Sequence, residues 1–125
     1  MHKIIAGLGA VAAVLCGCSS ADTSSAEEAA QRFEAAVADG GGPACALLAP
    51  RARDGLGPVG CGTGSPVATL PHAPVGSIVV WGDEAQARST SDTLFLHDFP
   101  DGWRVTGAGC RPRNQQVYDC AVGGR

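Results

Sequence analysis

The hydrophobic pattern changes period along the chain, and each change marks a different kind of segment. Residues 4–15 are an apolar run that ends at Leu15-Cys16-Gly17-Cys18. Polar residues then take over. From Ser24 the apolar positions recur at steps of three and four, at Ala26, Ala29, Ala30, Phe33 and Val37, which lines one face of a helix. Ser24 with Glu27, and Ser25 with Glu28, fit a capping box at its start, and Gly40 supplies a left-handed stop. After Gly40-Gly41-Gly42, Pro43 opens a second helix holding Ala44, Cys45, Leu47 and Leu48, which Pro50 limits or restarts. The two helices are expected to form a hairpin.

Residues 55–74 are so broken by glycine and proline that they read as a long connection pinned by Cys61, with room for a short helix after it. From Val75 the period becomes two. Residues 75–81, 85–90, 93–99 and 103–108 are short runs of strand formers separated by Gly82-Asp83, Ser91-Asp92 and Pro100-Asp101-Gly102, which predicts four antiparallel strands in a meander. The third run carries apolar residues on both faces, Phe95 and Phe99 on one and Leu94 and Leu96 on the other, and is therefore placed centrally. Helices first and strands after define an α+β domain: an N-terminal helical hairpin packed on a four-stranded antiparallel meander.

The first apolar run is a sorting signal. Lys3 gives it a positive start and small residues close it, while a bilayer span would take roughly 20 residues. Cys18 has Leu15 three residues before it and Gly17 immediately before it, the pattern of a lipoprotein signal peptidase site; Cys16 has Ala13 and Leu15 there. Cleavage before Cys18 is expected, with a diacylglycerol lipid on its sulfur. Two acyl chains hold stably where one would exchange. The expected organisation is a signal peptide over residues 1–17, a lipidated cysteine and flexible tether over 18–24, and a single small domain over 25–125. The protein is expected on the extracytoplasmic face of the cell membrane, held there by the lipid.

Composition sharpens this picture. About 108 residues remain after cleavage, enough for one small core. With 18 Gly, 8 Pro and only three Phe, two Trp and one Tyr in the whole chain, large side chains are scarce and the domain should need staples. Cys45, Cys61, Cys110 and Cys120 can provide them in an oxidising compartment. Three pairings are open; Cys45 with Cys61 and Cys110 with Cys120 is favoured because each pair lies within its own segment. A closed loop of about 15 residues contributes roughly 3 kcal/mol in the chain-entropy description. A four-thiolate zinc site would want C-x₂₋₄-C spacing, which these four cysteines lack. The formal net charge is −3 with no basic patch for nucleic acid.

The segments Arg32-Phe33-Glu34-Ala35-Ala36, Ala44-Cys45-Ala46-Leu47-Leu48-Ala49-Pro50, Val80-Trp81-Gly82-Asp83, Asp92-Thr93-Leu94-Phe95-Leu96, Asp101-Gly102-Trp103-Arg104-Val105, Gly109-Cys110-Arg111-Pro112 and Tyr118-Asp119-Cys120 cover most of the chain after Cys18. In them the chain resembles a group of small actinobacterial secreted lipoproteins of unassigned function. The element order is also similar to a reduced nuclear-transport-factor-2-like cone, in which a curved sheet wraps a helix; that resemblance implies a pocket. Residues 62–74 depart from the lipoprotein group in their glycine and proline content, and the group carries no catalytic residues over to this chain.

Candidate chemistry is sparse. Beyond the signal His72 and His97 are the only histidines, the residue type suited to proton transfer near neutrality. A metal site on both would need a third ligand from Asp98 or Asp101, and the spacing does not bring them together, so no metal site is predicted. Neither G-x-S-x-G nor C-x-x-C occurs. Asp83, Asp92 and Asp101 fall in turns, where aspartate bonds its own backbone. Trp81 and Trp103 read first as closing a small core, and second as aromatic surface for a sugar or a partner. The expected function is a non-enzymatic binding or assembly module with an envelope protein as partner and no cofactor beyond the lipid on Cys18. The alternative is a small-ligand or degenerate enzymatic domain with a pocket near Phe95, His97 and Trp103.

Overall fold

The computed structural model describes residues 17–124, with only the backbone of 17–21. Helix α1 spans Gly17–Ala38. Its stripe of Ala26, Ala29, Ala30, Phe33 and Val37 is buried as the spacing requires. Asp39, Gly40 and Gly41 then end it in a Schellman motif: Gly41 N–H donates to the Ala36 carbonyl and Gly40 N–H to that of Val37, with both glycines at positive φ. The start of α1 corrects the sequence reading. The helix does not begin at the Ser24 or Ser25 capping box but at Gly17, and residues 18–24 have helical backbone instead of forming a loose tether. No proline or glycine interrupts positions 18–38, so nothing in the chain stops the helix from extending toward its N-terminus. Residues 1–16 of the proposed signal segment lie outside the described residues. Among those described, no helix is long and apolar enough to cross a membrane.

The helical hairpin is not formed. Residues Pro43–Leu47 make a 3₁₀ turn, Leu48 and Ala49 are extended, and α2 is a short helix at Pro50–Asp54. The extended pair is drawn onto the sheet: Leu48 bridges Val105 in parallel, and Ala49 N–H donates to the Val105 carbonyl at 2.8 Å. Pro50, which disfavours helical backbone at the residue before it, keeps Ala49 extended for that contact. Two further 3₁₀ turns, Gly57–Val59 and Pro66–Thr69, lie in the long connection. The second follows Cys61, where the sequence left room for a short helix, and the Ser65 hydroxyl caps it by accepting from Val67 N–H.

Five antiparallel strands follow in sequential order: β1 Ser77–Trp81, β2 Glu84–Arg88, β3 Thr93–Phe99, β4 Gly102–Pro112 and β5 Tyr118–Gly123. The meander has one strand more than the four expected, and β3 is central as anticipated. The fifth was hidden by the polar stretch Arg113-Asn114-Gln115-Gln116. There the Asn114 side chain accepts from the backbone of Gln116 and Val117 and turns the chain back. Leu94, Leu96, Ala85, Ala87, Val105, Ala108 and Val122 form the sheet side of the core against α1. Alanines on both sides let the helix lie close, and Phe33 supplies the largest buried side chain, whose truncation costs about 3–5 kcal/mol in comparable cores.

Both disulfides pair locally, as favoured: Cys45 with Cys61 and Cys110 with Cys120, at Cα separations of 5.9 and 3.9 Å. The second joins β4 to β5 at directly opposed residues. Pairing of β3 with β4 slips register twice. At the slip between Thr93 and Phe95, Gly109 adopts φ +64°, and its N–H donates at 2.8 Å to buried Asp92, whose other oxygen accepts from the Ser89 and Ser91 hydroxyls.

Candidate binding groove

Alternation along the strands sends one set of side chains into the core and the other onto the face turned away from α1. On β1, Ile78 and Val80 pack toward the core while Val79 and Trp81 are left 59% and 51% exposed. Register carries the outer face across the sheet: Val79 stands opposite Gln86 and Gln86 opposite Phe95, while Trp81 stands opposite Glu84 and Glu84 opposite His97. A groove of about 810 Å³ lies on this side, lined by Trp81, Glu84, Phe95, Thr106, Gln116, Val117, Tyr118, Cys120 and Gly124.

Its far wall comes from the β4–β5 turn. Tyr118 packs edge-on to Phe95, ring centroids 5.0 Å apart. With its oxygen turned toward them, the Gln86 carboxamide accepts from the Tyr118 hydroxyl and the Arg88 guanidinium, both at 3.2 Å; the hydrogen-bond network sets that orientation. Arg113 pairs with Asp119 beside the same turn. The arginine holds the Asp119 carboxyl below its usual range.

At the Trp81 end, the two-residue turn Gly82-Asp83 sets Glu84 against His97. His97 Nδ1 is in hydrogen-bond contact with a Glu84 oxygen, and Nε2 lies 3.7 Å from Asp83. The Glu84 carboxylate raises the His97 pKa above the usual histidine value. The ring also meets Phe99 edge-on at 4.7 Å.

Of the expected pocket residues, Phe95 lines the groove and His97 stands beyond Glu84 at its edge. Trp103 is not with them. It pairs with Asp98, out of phase with His97, and packs against the core on the α1 side. A three-residue pocket of Phe95, His97 and Trp103 is therefore not formed, because residues separated by an odd step along a regular strand pairing face opposite ways. His72 is not with them either: it borders a smaller cavity of about 230 Å³ together with Glu34, Gln31 and Val75. The carboxylates whose oxygens converge on the His97 ring nitrogens are Asp83 and Glu84, in place of the Asp98 and Asp101 considered as ligands; Asp101 pairs with Arg104. Trp81 takes the surface reading and Trp103 the core reading.

Glu34 is a polar residue the sequence reading did not single out. It is 6% exposed and accepts from Ala73 N–H at 2.9 Å. Burial pushes its pKa up to about 7, the hydrogen bond from Ala73 opposes the rise, and the nearby Asp92 charge adds to it. The opposition of Glu84 and His97 was legible in principle, since two-residue and four-residue loops at 82–83 and 89–92 fix the register of β1 to β3. Tyr118 was hidden with β5.

Together these define a small α+β domain with a helix on one face of an antiparallel sheet and an open, aromatic-walled groove on the other. The chain matches no protein-family model, and no curated protein or solved structure matches it significantly.

Proposed function

We propose that the chain is a lipid-anchored, extracytoplasmic binding module, non-enzymatic, that presents the open face of its sheet to an envelope protein. The observation that carries the binding role is the groove: apolar and aromatic side chains of Trp81, Phe95, Val117 and Tyr118 are kept on the surface although the core is short of large residues. Exposed aromatic groups beside polar rims are the composition of recognition surfaces. The lipobox at Cys18 supports the anchor, and the two local disulfides are in keeping with an oxidising compartment.

A second reading, a small-ligand site in the same groove, is favoured by its volume, which falls within the range of about 300–1,000 Å³ common for such sites.

Two measurements test the proposal. The intact mass of detergent-extracted protein should start at Cys18 with a lipid adduct; an unlipidated mass would remove the anchor. Crosslinking on intact membranes should then give a discrete heteromeric species with the native chain that Trp81→Ala and Tyr118→Ala both abolish while leaving the fold intact. A species unaffected by either change would move recognition off this face.

A further inference from the structure

We infer that Asp83, Glu84 and His97 form a binding site for one divalent transition-metal ion of the zinc class at the Trp81 end of the groove. The site goes beyond the binding role proposed above and does not depend on it.

The placement follows from the hairpin. The Gly82-Asp83 turn puts Asp83 and Glu84 in succession at the mouth of β2, and the β2–β3 register sets His97 opposite Glu84. One ring nitrogen and one oxygen from each carboxylate all lie within 4.8 Å of one another. A tetrahedral zinc ion with ligands at about 2.0–2.2 Å separates its donors by roughly 3.3–3.6 Å. An ion on one ring nitrogen needs the Glu84 oxygen, which now touches Nδ1, to draw back to that separation, and the Asp83 carboxylate, 3.7 Å from Nε2 on a side chain that is 67% exposed, to rotate toward the same nitrogen. His97 and Glu84 sit on paired strands and give the site its fixed half, while Asp83, in the turn, gives the adjustable one.

Charge favours a cation over a simple histidine–carboxylate pair. Asp83, Glu84 and Asp98 all act on His97 electrostatically, so the surroundings stay negative even when the imidazole carries a proton. Among the described residues none of the three carboxylates has an arginine within ion-pair distance; the Arg104 guanidinium, on the residue opposite His97, is instead turned to Asp101 and the Ala46 carbonyl. An imidazole nitrogen among carboxylate oxygens selects zinc, copper or nickel over magnesium or calcium, which prefer all-oxygen sites. Three protein donors leave the rest of the coordination sphere to water.

The test is titration of the purified, disulfide-bonded protein with zinc chloride alone, by calorimetry and by the fluorescence of the tryptophans, Trp81 being directly opposite Glu84. Saturation at one equivalent with a Kd below about 1 mM is expected. His97→Ala and Glu84→Gln should each weaken it by about 10-fold or more, with calcium failing to compete and His72→Ala leaving it unchanged. Should either ligand variant fold poorly, Asp83→Asn in the exposed turn provides the same reading with a smaller loss. No saturable binding below about 1 mM, binding untouched by His97→Ala, or binding that disappears with His72→Ala would each overturn the site.

Discussion

Glu34, in the last third of α1, receives the backbone N–H of Ala73 at 2.9 Å, 39 residues further along the chain. This one bond fastens the proline-rich connection to the helix just before β1 begins, and it does so with a buried carboxylate that has no arginine beside it among the described ion pairs.

Stability should therefore fall as pH rises through neutrality. The Glu34 pKa is raised in the folded protein, from 4.5 to about 7, so the folded state holds a proton that the unfolded chain has released. The contribution is fully present below about pH 4.5, declines between the two values and is lost above about pH 7. Allowing for water at the cavity mouth, it is on the order of 2 kcal/mol. Glu34→Gln keeps an oxygen for Ala73 N–H and should flatten this part of a urea-denaturation pH profile while raising stability at pH 8. A profile unchanged by the substitution would mean that Glu34 titrates normally.

Two glycines with the same backbone angle should differ sharply in tolerance. Gly82 and Gly123 both have φ +65°, but a Cβ on Gly82 meets open space whereas one on Gly123 would fall 2.1 Å from the Thr106 carbonyl oxygen. Gly82→Ala should cost about 1–2 kcal/mol for the left-handed conformation alone. Gly123→Ala adds a backbone collision and should exceed about 3 kcal/mol, read from denaturation midpoints. Equal losses would show that β5 lies further from β4 than described.

Replacing Cys110 and Cys120 together by serine should cost about 2.5–3 kcal/mol, the loop-closure value for their short separation. Amide exchange should rise first in β5, an edge strand that pairs with β4 alone. Protection lost evenly through the sheet would contradict a local role.

The helix stripe, the central β3 and the local disulfides were legible because each rests on short-range spacing: five apolar positions at helical steps, apolar residues on both faces of one run, and cysteines within one segment. The second helix failed at Leu48 and Ala49, where a long-range bridge to Val105 won over local helix signals. The start of α1 was misjudged because a capping box permits a helix to begin without obliging it to. The groove was half legible. Phe95 and His97 could be placed by alternation, but Trp103 sits one step out of phase across the hairpin, and Tyr118 belongs to a strand masked by a polar turn. Glu34 sits next to Phe33 in the sequence with no local mark of burial; only the return of residues 71–74 over α1 covers it.

The staple between β4 and β5 also gives the groove a history. Tyr118 stands two residues before Cys120, so the wall that faces Phe95 is locked only after two thiols have met an oxidant. With both thiols reduced, that wall would sit on a strand held only by its ladder and its packing against α2 and the Pro66–Thr69 turn. If the chain is exported as proposed, the far wall of the groove would be completed only outside the cytoplasm.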